Sequence, residues 1–446
     1  MTLLLSGGTV VTSLDPPSLR EGDVLVLDGR IAAQGGAAPG DEETIDCAGC
    51  LVIPGNVCAH HHLYSALARG MPYRLEPPED FVQILQRMWW RLDRALDPAS
   101  IRASARSGGA DALHAGTTTI VDHHASPTTI EGSLGLLDDA LGSLGARRIL
   151  CYEVTDRDGL DRAAAGLEET HRRLKEQASD GGAPATRTMV GAHASFTLSA
   201  ETLAACVSLA DGFDVGMHVH VAEDGADERD SEGRFGRRVV ERLADAGALT
   251  DRSLLAHCVH VDDREIDLIR DSGAWVAHNP RSNMNNRVGR ARVARLGDRV
   301  ALGTDGIDGD LFAESRAAYW RGHEDDPSIS PSWVLGSLAA GARFAGRAFG
   351  EPLLGRIEPG APADLVVLDY DPPTPLSAEN LAGHWVFGLS SRHVRDVVVD
   401  GSVVVRDRRL VRPAENEAAG SRATARDLWE RIDRVPAHPF EPAGGD

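Results

Sequence analysis

"LVIPGNVCAHHHLYSALARG", Leu51–Gly70, places three consecutive histidines, His60, His61 and His62, at the end of an apolar run. "LVIPGNV" has the length and continuity of a strand buried on both faces. Seven further runs share its texture: "TTTIVD", "RRILCYEV", "TMVGAHA", "VGMHVHVA", "SLLAHCVH", "AWVAHNP" and "VALGTDG". Amphipathic segments such as "SAETLAACVSLADGF" and "DDREIDLIRDSG" lie between them. Strands without polar alternation, separated by helices, imply a parallel sheet covered on both sides. Eight such units between about residues 54 and 350 predict an α/β fold of the (β/α)8 barrel type. An open doubly wound sheet is the weaker alternative, because no G-x-G-x-x-G follows the first strand.

The two ends of the chain read differently. Residues 1–53 and 351–410 are rich in short strand signals. "VLDGR" and "VVDGS" carry Asp-Gly at the tips of expected hairpins. One small β-sandwich domain assembled from both termini is predicted. Residues 411–446 read as a polar linker and one helix, ending in a mobile "PAHPFEPAGGD".

Charge excludes one class of partner. Lys plus Arg number 46 and Asp plus Glu 67, so the formal net charge is 46 − 67 = −21. A chain this acidic does not hold a nucleic-acid backbone. The N-terminus lacks a basic region and a cleavage site, and reads as a strand, not a signal peptide. No apolar run reaches the length of a membrane span. Six scattered cysteines fit a reducing cytoplasm. Cys47 and Cys50 form a C-x-x-C, but no second pair completes a structural zinc site.

Barrels carry their chemistry at the C-terminal ends of the strands. Here those ends are histidine- and acid-rich: "HHH", "DHH" (Asp122–His124), His193, "HVHVAE", "AHCVH", "HNP" and "GTDG". On a strand, residues i and i+2 share a face, so His60 and His62 point together and His61 points away. His220 from the fifth strand and Asp305 from the eighth join them. Three imidazoles and one carboxylate suit Zn²⁺ or Fe²⁺ with one open position, where the ion makes hydroxide available near neutral pH. Glu223, three residues after His220, is placed to carry a proton to a leaving group. His257 is placed to polarise the water and Asp305 to take its proton. No G-x-S-x-G elbow supports a serine hydrolase.

"PGNVCAHHH", "HVHVAE", "AHCVH", "HNPRSN" and "GTDG", in this order, resemble the amidohydrolase superfamily in its branch of mononuclear aminohydrolases and chlorohydrolases. "MWWRLDRALD", "TTTIVDHHASP" and "SNMNN" are similar to the SsnA-type aminohydrolases. The resemblance covers residues 1 to about 410. It implies His60, His62, His220 and Asp305 as metal ligands, Glu223, His257 and Asp305 as the acid/base set, and His193 as a substrate contact. It also implies a homo-oligomer. No lysine at the end of strand four is available to bridge a second ion, so one divalent ion per chain is expected, Zn²⁺ ahead of Fe²⁺.

Two loops depart from the branch: "IDGDLFAES" after "GTDG", and "RSNMNNRVGR" after "HNP". Both face the pocket in such a fold, so substrate preference does not carry over. Asp122, His123, Arg281, Trp89 and Trp90 are candidate pocket residues, with packing as the rival role for the tryptophans. The expected activity is hydrolytic deamination of a purine- or pterin-like heterocycle. Ring-opening C–N hydrolysis and dechlorination are the alternatives on the same site. A non-catalytic relative is disfavoured, because every ligand and the acid are present.

Overall fold

In this computed structural model, residues 2–32, 43–179, 185–412 and 417–443 are described. Eight parallel strands form a nearly closed barrel: Asn56–His61, Thr117–His124, Arg147–Val154, Val190–Ala194, Met217–Val221, Leu254–His257, Trp275–His278 and Val300–Leu302. A short strand, Thr186–Thr188, pairs alongside the third. The ring closes between its first and last strands where Thr304 and Asp305 donate their backbone N–H groups to the His60 carbonyl, at 2.9 and 3.0 Å. Helices such as Ser133–Leu144, Ala200–Gly212, Asp263–Ser272 and Pro331–Phe349 cover the outside. Their starts carry the expected signals. Asp262 and Glu265 form a capping box, and Ser330 caps a helix with Pro331 in its first turn. None of the described helices is long and apolar enough to cross a membrane.

"LVIPGNV", expected from its apolar continuity to be one barrel strand, is two. Leu51–Pro54 belongs to a separate nine-stranded sheet of terminal strands, and Asn56–His61 opens the barrel. Gly55 is the hinge. A Cβ there would lie 2.2 Å from Thr118 Oγ1, so only glycine lets the chain pass from one sheet to the other. In the terminal sheet, Leu51–Pro54 runs antiparallel to Leu365–Leu368 and parallel to the long N-terminal strand Thr2–Leu14. The two ends of the chain therefore interleave. Both Asp-Gly hairpins form: Leu27 pairs with Arg30 and Val399 with Ser402, and the intervening Asp28-Gly29 and Asp400-Gly401 all have positive φ.

The carboxy-terminal end is not loose. Helix Glu417–Ile432 and the extended residues up to 443 lie against the barrel rim. Arg91 donates to the carbonyls of Ile432 and Val435, and His438 donates its backbone N–H to the Gln86 carbonyl. His438 is 5% exposed, which corrects the expectation of a mobile end for the residues up to 443.

Candidate metal centre and active site

His60, His62, His220 and Asp305 each offer one ligand atom, and these four atoms lie within 4.8 Å of one another. The imidazoles are oriented from behind. His62 Nδ1 is 2.6 Å from the His123 carbonyl and His220 Nδ1 is 2.8 Å from the His193 carbonyl. A carbonyl only accepts, so both Nδ1 atoms carry the proton and both Nε2 lone pairs face the centre. His60 Nδ1 is 2.8 Å from His218 Nε2, and His218 Nδ1 is 3.6 Å from Cys151 Sγ. With His60 Nδ1 engaged in that chain, His60 Nε2 is a buried atom with no hydrogen-bond partner. Asp305 Oδ1 stands 3.1 Å from His62 Nε2 and 3.6 Å from His60 Nε2. This donor set fits a divalent ion: three aimed nitrogens, one carboxylate, and an orphaned nitrogen that such an ion would satisfy. Burial holds His60 and His220 well below the usual imidazole range, which keeps them neutral as ligands require. His61 turns the other way, with Nδ1 2.8 Å from Thr304 Oγ1.

Glu223, His257 and Asp305 form an adjoining cluster. Glu223 Oε2 is 3.5 Å from His257 Nε2, which is 3.8 Å from Asp305 Oδ2. Burial pushes the Glu223 carboxyl up to about 7. Burial opposes ionisation of Asp305 as well, but the imidazoles of His60, His62 and His257 around it hold it well below the carboxylate range. The backbone is left-handed at Ala222, His257 and Asp305, with φ of 46°, 73° and 53°. Such conformations are uncommon outside glycine and cluster at functional sites.

One turn of helix supports all three groups. Helix Pro280–Asn285 follows the seventh strand. Ser282 Oγ donates to Asp305 Oδ2, Asn283 Oδ1 accepts from His257 Nδ1 at 2.8 Å, and Asn286 Nδ2 donates to Glu223 Oε1 at 3.2 Å. The motif "SNMNN" is visible in the sequence, but its residue types alone do not point to these roles. The signal available is the i, i+4 spacing of Ser282 and Asn286 and the i, i+3 spacing of Asn283 and Asn286, which set short polar side chains side by side.

The pocket above the cluster is lined by His193, Trp89, Trp90, Phe196, Arg157 and Glu153, among others. Trp89 and Trp90 reach it because the helix Phe81–Ile84 passes into a π-helical turn, Leu85–Trp89, a feature common at functional sites. Trp90 also packs: its ring lies 5.1 Å from the Arg157 guanidinium and 5.8 Å from Phe440. Three sequence candidates are not on this wall. Asp122 accepts from the Leu63 backbone N–H at 2.7 Å beneath the first strand. His123 lies between Glu153, at 3.1 Å, and the His218 carbonyl, at 3.1 Å. Arg281 turns outward to Glu314 and Asp308. Each is a polar group whose partner draws it behind the site. Cys47 and Cys50 are buried free thiols in the terminal sheet.

The profile of the Amidohydrolase family matches residues 51–404. Over 437 residues the chain is 33% identical to the 5-methylthioadenosine/S-adenosylhomocysteine deaminase of Halobacterium salinarum, an alignment covering 95% of this chain and 97% of that one. The 5'-deoxyadenosine deaminase of Methanothermobacter thermautotrophicus is 32% identical over 425 residues, covering 92% and 94%. Among solved structures, an adenosine deaminase from Xanthomonas campestris with bound zinc superimposes with a TM-score of 0.83 at 25% identity, covering 97% and 99%. An atrazine chlorohydrolase from Arthrobacter aurescens shares the fold, with a TM-score of 0.79 at 24% identity over 95% of this chain and 100% of that one.

Proposed function

The chain belongs to the amidohydrolase family, and from that premise we propose that it hydrolytically removes the amino group of a purine-like N-heterocycle, with one Zn²⁺ held by His60, His62, His220 and Asp305. The observation that carries this reading is the convergence of three Nε2 atoms and a carboxylate beside the Glu223–His257 pair. Relatives named as adenosine-type deaminases and a zinc-bearing neighbour support the reaction and the choice of metal. Fe²⁺ suits the same donors and is the competing ion.

When bound, the ion supplies Lewis acidity and lowers the pKa of water toward about 7. The residues of the chain do the rest. Glu223, raised to about 7, holds a proton near neutrality and delivers it from its carboxyl to the ring nitrogen beside the amino-bearing carbon. Asp305 Oδ2, fixed by Ser282, receives a proton from the attacking water and returns it to the departing amine. His257 is turned by Asn283 so that Nε2 meets the attacking oxygen. Trp89 and His193 flank the heterocycle, the remaining hydroxyl proton passes back to Glu223 as the carbonyl forms, and ammonia leaves.

The reading is tested by an ammonia-release screen of zinc-loaded enzyme over adenosine-type nucleosides, free purines, pterins and triazines. Ammonia from a purine-type compound supports it. Ring opening or chloride release without ammonia replaces deamination by one of the other hydrolytic reactions. The homo-oligomer that the resemblance implies is checked by sedimentation of the purified chain.

A further inference from the structure

We propose that the substrate carries no carboxylate or phosphate: its substituent meets a wall whose only arginine is already fully neutralised. This rests on the deaminase reading and narrows its substrate class.

Among the described residues lining the pocket, Arg157 is the one lysine or arginine, against the acids Glu153, Glu223, Asp224, Asp227 and Asp305. Each nitrogen of the Arg157 guanidinium is engaged by a carboxylate. Nη2 donates to Asp93, Nη1 to Glu153 Oε1 at 3.2 Å, and Nε to Asp158 Oδ2 at 3.2 Å, while the Trp90 ring covers its face at 5.1 Å. The side chains of Arg157 and Asp93 are 1% exposed and that of Glu153 is 3% exposed, so none of them swings out to make room. Two of the acids have further partners: Glu153 meets His123, at 3.1 Å, and Asp158 meets His438, at 3.4 Å, and Arg94, at 3.6 Å.

Glu153 and Asp158 are both held below the usual carboxylate range by partners that overcome burial, His193 first for Glu153 and His438 first for Asp158. Three carboxylates therefore surround the one guanidinium, and no nitrogen of Arg157 is left unengaged for a ligand anion. The other lining acids offer an anion nothing. Asp227 accepts from the backbone N–H groups of Phe196 and Ala222, and Asp224 caps the helix Gly225–Phe235. An incoming carboxylate would displace Glu153 or Asp158 from Arg157, or stand beside them unpaired. A neutral tail meets no such conflict. A wall that repels one class of tail discriminates without adding any contact to the others. The formal charge of −21 on the chain adds a long-range bias in the same direction.

The experiment compares matched pairs on wild-type zinc enzyme. S-adenosylhomocysteine is set against its decarboxylated analogue, 5'-deoxy-5'-(3-aminopropylthio)adenosine, which has the same thioether reach and no carboxylate. 5'-Methylthioadenosine serves as the neutral reference, and pterin with pterin-6-carboxylate is a second pair. The expected kcat/KM of each carboxylate is at least about 100-fold below that of its partner, the scale of an uncompensated like-charge contact. A difference under about 10-fold overturns the proposal while leaving the deaminase reading intact. Ammonia from neither member of either pair, nor from any compound of the screen, overturns that reading instead. Asp158→Asn, at a position with an 11% exposed side chain, removes one carboxylate charge from Arg157 while keeping an acceptor for Nε. It is expected to raise the carboxylate-to-neutral ratio about 10-fold, and an unchanged ratio removes Arg157 as the cause.

Discussion

The floor and the far wall of the pocket are built by opposite means. The floor consists of histidines and acids at the ends of adjacent barrel strands, each within a few residues of an apolar run: His60 and His62, His220 and Glu223, His257, Asp305. The far wall is assembled from segments remote in sequence: the π-helical turn Leu85–Trp89, Glu153 at the end of the third strand with Arg157 just after it, and His438 and Phe440 at the carboxy-terminal end. The floor inherits its geometry from the barrel ladder, so it is rigid and fixes the chemistry. The wall depends on side-chain packing between separate elements, so it sets which substituent is held without altering the reaction. Damage to the floor is therefore expected to remove turnover, and damage to the wall to change which substrate is held and how tightly.

The largest effect expected is from metal removal. Dialysis against a chelator should bring ammonia release to background with the far-UV dichroism unchanged, and Zn²⁺ should restore it. Persistent activity in metal-free enzyme would break the distinction between floor and wall at its root. Next comes Glu223→Gln, which keeps shape but cannot cycle a proton. Turnover should fall by about 10²–10⁴ with metal content intact, the range of general acid–base catalysis. Asn283→Ala follows. It releases His257 Nδ1, and loss of an orienting partner of this kind costs about 10–100-fold. Its kcat should fall while KM stays within about 3-fold, and a pure KM effect would move Asn283 to the wall. The smallest effect is expected from Phe440→Ala, which removes ring contacts to Trp90 and Phe196 at 5.8 and 6.2 Å. Aromatic pairs contribute about 0.5–1.5 kcal/mol each, so KM should rise about 2–10-fold with kcat nearly unchanged. A kcat loss as large as that of Asn283→Ala would show that the wall shares in the chemistry.

The same contrast explains what is legible in the sequence. Period-two geometry separates His60 and His62 from His61 on the sequence alone, because a strand leaves a side chain only two directions. The barrel is legible because eight apolar runs, each closed by polar residues, repeat along the chain. The end of "LVIPGNV" is misplaced by such a reading because one unbroken apolar run serves two sheets, and only the clash of a Cβ at Gly55 with Thr118 shows the break. Asp122, His123 and Arg281 read as pocket residues because proximity to strand ends says nothing about which buried partner captures a side chain. The tail "PAHPFEPAGGD" looks polar and loose by composition. The surface that orders residues up to 443, with Gln86, Trp90 and Arg91, lies more than 300 positions upstream.

The central claim is that the Nε2 atoms of His60, His62 and His220 converge on one ion while His61 does not. Metal content, measured by elemental analysis on His60→Asn and His61→Asn prepared side by side, tests it most directly. The expected result is a His61→Asn protein that retains close to one ion per chain and part of its ammonia release, and a His60→Asn protein that has lost most of both. A loaded His60→Asn beside an empty His61→Asn would contradict the account, and the ligand assignment on the first strand would be withdrawn.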